Sequence, residues 1–265
     1  MRQVPIAATV AGSDSGGGAG IQADLKSFAA AGVYGVSVLV ALTAQNTRGV
    51  AAVHAVPPDF VRAQFSALDQ DLRPAAVKTG MLLSAELIQV VADELSTLGW
   101  RPLVVDPVMV AKSGDVLLEA AAVEALRSRL LPLAEVVTPN WPEAEALSGL
   151  RIADEDAALE AGRRLLELGP RWVLVKGGHS PGAPTDFLIG QRAVMELRGT
   201  RVGGRHTHGT GCTFSAALAA QLARGRTVPE AAGEAKRYLQ AALEQAPELG
   251  GGHGPLQHLP KGWPE

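Results

Sequence analysis

The sequence predicts an α/β fold, a mostly parallel sheet covered by helices on both faces, and three observations carry that prediction. Short runs rich in Val, Leu and Ile alternate with longer segments whose apolar residues recur every three or four positions. The short runs are bounded by Gly, Pro or Asp, as buried strands are. Polar residues and glycine turns follow the runs, where an open parallel sheet gathers its ligand-binding loops.

Taken in order, "VPIAATVAG" (4–12) reads as the first strand and "AGIQADLKSFAAAG" (19–32) as the first helix. "GVSVLVALTA" (35–44) is the next strand, followed by a helix in "PDFVRAQFSALDQDL" (58–72) that begins on Pro. "AAVKTG" (75–80) and "PLVVDPV" (102–108) are strands separated by the helix "SAELIQVVADELSTLG" (84–99), with Ser at its start and Gly at its end. One helix is expected over "AAAVEALRSRLLPLA" (120–134), then a strand in "AEVVTPN" (134–140) that runs into a helix at "TPNWPEAEAL". A helix over "DEDAALEAGRRLLELG" (154–169) and a strand over "RWVLVKGG" (171–178) complete the parallel set. "DFLIGQRAVMELRG" (186–199) reads as a hairpin turning at Gly190 to Arg192, and two helices close the chain, at 209–225 and 228–246. Without a repeat, a low-complexity linker or a break in composition, residues 1–265 are expected to form a single domain.

Composition narrows the function classes. Lys and Arg number 24 against 27 Asp and Glu, a balance that disfavours a nucleic-acid grip or a basic membrane face. Cys212 is the lone cysteine, so no internal disulfide is possible. The start of the chain lacks a long apolar segment, and no stretch reaches about 18 uninterrupted apolar residues. A soluble cytoplasmic protein is expected.

Two glycine turns stand out. "AGSDSGGGAG" (11–20) joins the first strand to the first helix, yet supplies neither the Gly spacing of a dinucleotide fingerprint nor the Gly-Lys-Ser/Thr of a Walker A loop. It reads either as a tight turn or as a loop that lets backbone approach a flat or charged ligand. Gly209-Thr210-Gly211-Cys212 opens an Ala-rich helix, so free N–H groups and the positive helix end converge there on an anion site. Cys212 is expected either to be a buried small hydrophobe or to have its thiol shifted toward the thiolate.

Other polar residues fall at strand ends: Asp14, Gln45, Lys78, Asp106, Asn140 and Lys176. Lys176 follows four apolar residues and suits an anion or a neighbouring carboxylate. Asn140 and Glu143 suit either Mg²⁺ held through water or a helix capping box. His206 and His208 lack a third ligand at zinc spacing, and His253 and His258 suit solvated or loop-packing roles.

The segments "AGSDSGGGAGIQADLKSF", "LTAQNTRGV", "KTGML", "DPVMVAKSGD", "TPNWPEAEAL", "LVKGGH", "THGTGCTFSAALAA" and "GGHG" together resemble the hydroxymethylpyrimidine/phosphomethylpyrimidine kinases of thiamin biosynthesis. These belong to the ribokinase-like superfamily. The resemblance implies a three-layer αβα fold, a homodimer, Mg²⁺ with ATP as phosphoryl donor, and two successive phosphorylations of 4-amino-5-hydroxymethyl-2-methylpyrimidine. It places Ala19, Asp24, Gln45, Met81 and Val108 around the pyrimidine. It puts Gly209, Thr210, Gly211 and Cys212 around the transferring group, with Lys176, Asn140, Gly209 and Gly211 on the nucleotide. Glu143 and Asp106 would stand near Mg²⁺, and Lys112 would lie in a flap. Sugar kinases of the superfamily carry an Asp base where this chain has Cys212. The same resemblance leaves open a pyridoxal or pyridoxine kinase, or a catalytically inactive sensor. It implies small-molecule partners rather than nucleic acid or membrane.

Overall fold

The computed structural model describes residues 4–109, 120–179 and 182–263. The expected flap around Lys112 lies outside them. The described residues form one continuous sheet in which β1 (Ile6–Asp14) occupies an inner position. Parallel neighbours on its two sides are β2 (Tyr34–Asn46) and β4 (Ala76–Thr79), β3 being Gly49–Ala55. Beyond β4 lie β5 (Leu103–Val105), β6 (Val136–Val137) and β7 (Trp172–Val175), each parallel to the strand before it. The antiparallel hairpin β8 (Thr185–Gly190) and β9 (Val194–Arg198) extends this edge, as its sequence predicts.

Helices α1 (Gly20–Ala30), α7 (Thr210–Ala223) and α8 (Val228–Glu244) cover one face, where Phe28, Phe214, Leu218 and Tyr238 enter the core. The opposite face carries α2 (Pro58–Asp71), α3 (Ala85–Leu98), α4 (Ala120–Ala125), α5 (Trp141–Ser148) and α6 (Glu155–Leu166), packed through residues such as Phe65, Ile88 and Leu147. The result is the three-layer α/β arrangement the sequence implies.

Two elements depart from expectation. β3 pairs antiparallel with the end of β2 but buries almost nothing, and its run of Gly, Ala, Val and one His has no large apolar residue to mark it as a strand. The single helix expected over 120–134 gives way to a π-helical turn at Leu126–Leu130 and a 3-10 turn at Leu131–Leu133. Pro132 lacks the N–H that a continuing α-helix requires.

Because side chains alternate along a strand, parity decides which layer each one enters. Ala76, Val104, Val136 and Leu174 face α1, α7 and α8. Two residues later on the same face come Lys78, Asp106, Thr138 and Lys176. The register is staggered, with Lys78 level with Val104, Val104 level with Val136, and Lys176 level with Asn140, so the four polar side chains share one face at successive levels and rise toward the carboxyl rim beneath the start of α7.

Candidate active site

Lys176 Nζ lies 3.0 Å from Asp106 Oδ1 and 3.9 Å from Glu143 Oε2. Asp106 also accepts from Ser215 Oγ at 3.0 Å and Thr138 Oγ1 at 3.3 Å. Burial alone would raise the Asp106 carboxyl, but Lys176 and Lys78 hold it below its ordinary value. Glu143 responds oppositely: burial pushes it up to about 7, assisted by Asp106 and opposed by Lys176. A second ion pair lies deeper, where Lys78 Nζ donates to Asp24 Oδ1 at 2.9 Å and Oδ2 at 2.8 Å, both side chains being 0% exposed. Burial opposes the Lys78 ammonium, yet Asp24 keeps it above the ordinary lysine value.

Gly209 caps α7 with φ +82°, a left-handed conformation that favours glycine. A Cβ there would overlap the Gly18 carbonyl, so the two glycine turns pack backbone against backbone. At Gly211 a Cβ would stand 3.3 Å from Lys176 Nζ and 3.5 Å from Asp106 Oδ2. The opening turn of α7 therefore sits directly over the Lys176–Asp106 pair, with Thr210 Oγ1 donating to Thr207 O at 2.7 Å.

Asp14 organises the first glycine turn. Its carboxylate accepts the N–H groups of Gly16, Gly18 and Ala19 at 2.8, 3.1 and 2.9 Å. His208 Nε2 donates to the same carboxylate at 2.8 Å, joining the two turns. Burial works against the charged form, but His208 and the backbone donors hold Asp14 below its ordinary value. Gln45 Nε2 is 3.5 Å from His208 Nε2, and Gln45 Oε1 accepts from Thr43 Oγ1 at 3.1 Å. Met81 O accepts from Gly12 N at 3.2 Å, and Val108 is half-buried two residues beyond Asp106. Ala19, Gln45 and Met81 thus gather around the first glycine turn, and Lys176, Asp106 and Gly209 to Cys212 around the second.

Three expectations need correction. Asp24, expected to contact the pyrimidine, is fully buried, with both oxygens taken by Lys78 and a further bond from Thr9 Oγ1 at 2.6 Å. The Cys212 thiol is not shifted toward the thiolate: burial pushes it up to about 11, with Lys78 acting in the other direction. The Asn140 amide is committed to the cap of α5, its Oδ1 accepting Glu143 N at 2.9 Å while Glu143 Oε2 accepts Asn140 N at 2.8 Å. The capping-box alternative is therefore realised, and Glu143 keeps its carboxylate near Lys176 as well.

Sequence reasoning missed His208 as a link between turns, Ser215 and Thr138 as donors to Asp106, and Asp186 as the acceptor of Gly177 N at 2.8 Å. Strand parity would have found Thr138, and the four-residue helical step from Gly211 would have found Ser215. His258 packs as a buried loop residue, 3.1 Å from Thr213 Oγ1. Among the described residues no group of three or more His, Cys, Asp or Glu is gathered as a metal cage. Asp106 and Glu143, flanking one ammonium, fit instead an ion that keeps water and phosphate ligands, as Mg²⁺ does. No helix among the described residues is long and apolar enough to cross a membrane.

The chain matches the phosphomethylpyrimidine kinase family over residues 14–257. It is 50% identical over 259 residues to the hydroxymethylpyrimidine/phosphomethylpyrimidine kinase of Streptomyces coelicolor, covering 98% of this chain and 95% of that one. It is 54% identical over 252 residues to a thiamine biosynthesis bifunctional protein of Geobacter sulfurreducens, 95% of this chain but 51% of the relative, so it spans about half of that longer protein. Among solved structures, an ADP complex of Bacillus subtilis pyridoxal kinase superimposes with TM-score 0.90 at 37% identity, over 97% of this chain and 98% of that chain.

Proposed function

Because the chain belongs to the phosphomethylpyrimidine kinase family, we propose that it transfers the terminal phosphoryl group of ATP to 4-amino-5-hydroxymethyl-2-methylpyrimidine and then to the resulting monophosphate. The observation that carries this reading is the placement of Lys176 Nζ against Gly211 at the start of α7, across from the turn organised by Asp14.

Phosphoryl transfer needs aligned reactants and neutralised charge. The N–H groups of Gly209 to Cys212 and the positive end of α7 receive the transferring group. Lys176 supplies a fixed cation held by Asp106. Asp106 and Glu143 are the residues that would hold Mg²⁺, which would supply positive charge to offset that of the phosphates. On the acceptor side, Gln45 offers an amide donor and acceptor that suit the paired donor and acceptor of an aminopyrimidine edge. Ala19, Met81 and Val108 supply the surrounding apolar surface. The hydroxymethyl group must surrender a proton, whereas the monophosphate is already an anion, so a proton acceptor is needed only in the first step. In this reading Cys212 takes it.

A homodimer and a single domain form part of the same reading. The exposed β2–β3 edge, with Leu42 at 44% and Val53 at 42% exposure, supports the first, and the continuous sheet supports the second. Small soluble reactants suit a cytoplasmic enzyme. The likeness to a pyridoxal kinase favours one alternative acceptor, pyridoxal.

ADP release with Mg²⁺, ATP and each of the pyrimidine alcohol, its monophosphate or pyridoxal separates these readings. Turnover on both pyrimidines with little on pyridoxal is expected. A preference for pyridoxal would overturn the role given to Gln45, and no turnover on any acceptor would favour an inactive sensor.

A further inference from the structure

The end of β2 is irregular just where Gln45 projects. Register between β2 and β3 slips there: Ala44 is level with Ala52 but Gln45 with Val50, so Ala51 is an extra residue on β3. A bulge of this kind disrupts the local ladder and re-aims side chains beside it. On its other side β2 has already lost its neighbour, because the paired register with β1 ends at Asp14 and Thr43, two residues before Gln45. Regular strand pairing therefore does not settle the aim of Gln45. A side chain does: Ser15 Oγ donates to Gln45 O at 2.7 Å and accepts from Gln45 N at 2.8 Å. A hydroxyl is donor and acceptor in one atom, so it satisfies both main-chain groups of one residue and takes the place of the strand that has ended.

A second hydroxyl turns the amide. Thr43 Oγ1 lies 3.1 Å from Gln45 Oε1 and 2.9 Å from Ser13 O, which share its one hydrogen. Oε1 is thereby set toward Thr43, and Nε2 toward His208 Nε2 at 3.5 Å. That ring nitrogen donates to Asp14 and so cannot also accept, which leaves the Gln45 N–H groups without an acceptor in the ring. The amide keeps a donor and a carbonyl lone pair for a ligand.

We propose that Ser15 is a positioning residue that acts through Gln45, its hydroxyl holding the strand end at the bulge so that the amide meets the heteroaromatic acceptor already aimed. This rests on the reading of Gln45 as the aminopyrimidine contact. Ser15 is itself exposed, so in its absence water satisfies the two main-chain groups and the fold survives. What is lost is the ordering of the amide before the ligand arrives, and that ordering contributes to affinity for the acceptor rather than for the nucleotide.

Calorimetric titration of each variant with the pyrimidine alcohol, and separately with Mg²⁺ and ATP, tests the proposal. Ser15→Ala is expected to weaken binding of the alcohol about fivefold, while ATP affinity stays within about twofold of wild type. Ser15→Thr keeps the hydroxyl and should bind the alcohol within about twofold of wild type. In a Gln45→Ala background, Ser15→Ala should add less than about twofold, because its effect passes through the missing amide. An undiminished loss in that background would overturn the proposal, since Ser15 would then touch the ligand itself. Wild-type affinity in Ser15→Ala, an equal loss for ATP, or no recovery in Ser15→Thr would also overturn it. Gln45→Ala alone separates the underlying reading. Wild-type affinity for the alcohol there would remove Gln45 as the pyrimidine contact and the proposal with it, whereas weakened binding there beside wild-type binding in Ser15→Ala would remove only the role of Ser15.

Discussion

The same substitution made two residues apart should give opposite phenotypes. Gly209 has φ +82°, and its added Cβ would meet the Gly18 carbonyl, a backbone atom that moves only if the turns separate. An L-residue in that conformation costs about 1–2 kcal/mol, and a core-like overlap costs about 1–3 kcal/mol more. Gly209→Ala should therefore lose about 3 kcal/mol, which for a chain of this size lowers Tm by roughly 6–10 °C. Gly211 lies inside the first turn of α7, where Ala is a better helix former by about 1 kcal/mol. Its Cβ would instead approach Lys176 Nζ at 3.3 Å, the far end of a flexible side chain. Gly211→Ala should hold Tm within about 3 °C while it fills the space given to the transferring group, and losing one such donor site lowers kcat by about 10²-fold. Thermal denaturation and steady-state ADP release measure the two effects. Wild-type kcat in Gly211→Ala would refute the placement of the phosphoryl group, and an unchanged Tm in Gly209→Ala would refute the packing of the turns.

Three further outcomes follow from the site and core. Cys212→Ser should slow phosphorylation of the alcohol more than that of the monophosphate in single-turnover assays, and equal losses would leave Cys212 with only a packing role. Glu143, raised from 4.5 to about 7, keeps a proton in the folded state that the unfolded chain releases, so its contribution is full below pH 4.5 and is lost as pH rises toward 7. Between pH 5 and 8, denaturant titration should therefore show wild type losing on the order of 2 kcal/mol more than Glu143→Gln; parallel profiles would contradict the assigned burial. Phe65→Ala, deleting a fully buried ring 5.2 Å from that of Trp100, should cost about 3–5 kcal/mol in stability with kcat unchanged, and a loss below 1 kcal/mol would contradict the close packing of that core.

Much of this was legible before any coordinate. Short continuous apolar runs bounded by Gly, Pro or Asp located the parallel strands, because buried strands must be apolar on both faces. Side-chain alternation along those strands carried Lys78, Asp106 and Lys176 to one layer. β3 escaped because an exposed edge strand has no face to bury, so its sequence lacks the pattern. Asp24 was misplaced because nothing local distinguishes a carboxylate that lines a cleft from one buried 54 positions away from its lysine. The thiol at Cys212 was misjudged for a related reason. A helix N-terminus is visible in sequence, whereas the burial that outweighs it depends on α1 and β4, which pack from elsewhere. His208 resisted for the same cause, its partner Asp14 lying 194 positions earlier.

That separation has a consequence for how the protein is made. Ribosomes add about 5–20 residues per second, so roughly 10–40 seconds pass between synthesis of Asp14 and synthesis of His208. During that interval the nascent chain has made β1 and α1 but lacks α7 and α8, the helices that cover their shared apolar layer. A half-made chain therefore presents the bare side of its sheet to solvent and has no working site. Stalling or premature termination before residue 208 should yield a species that chaperones or proteases remove, rather than a weakened enzyme.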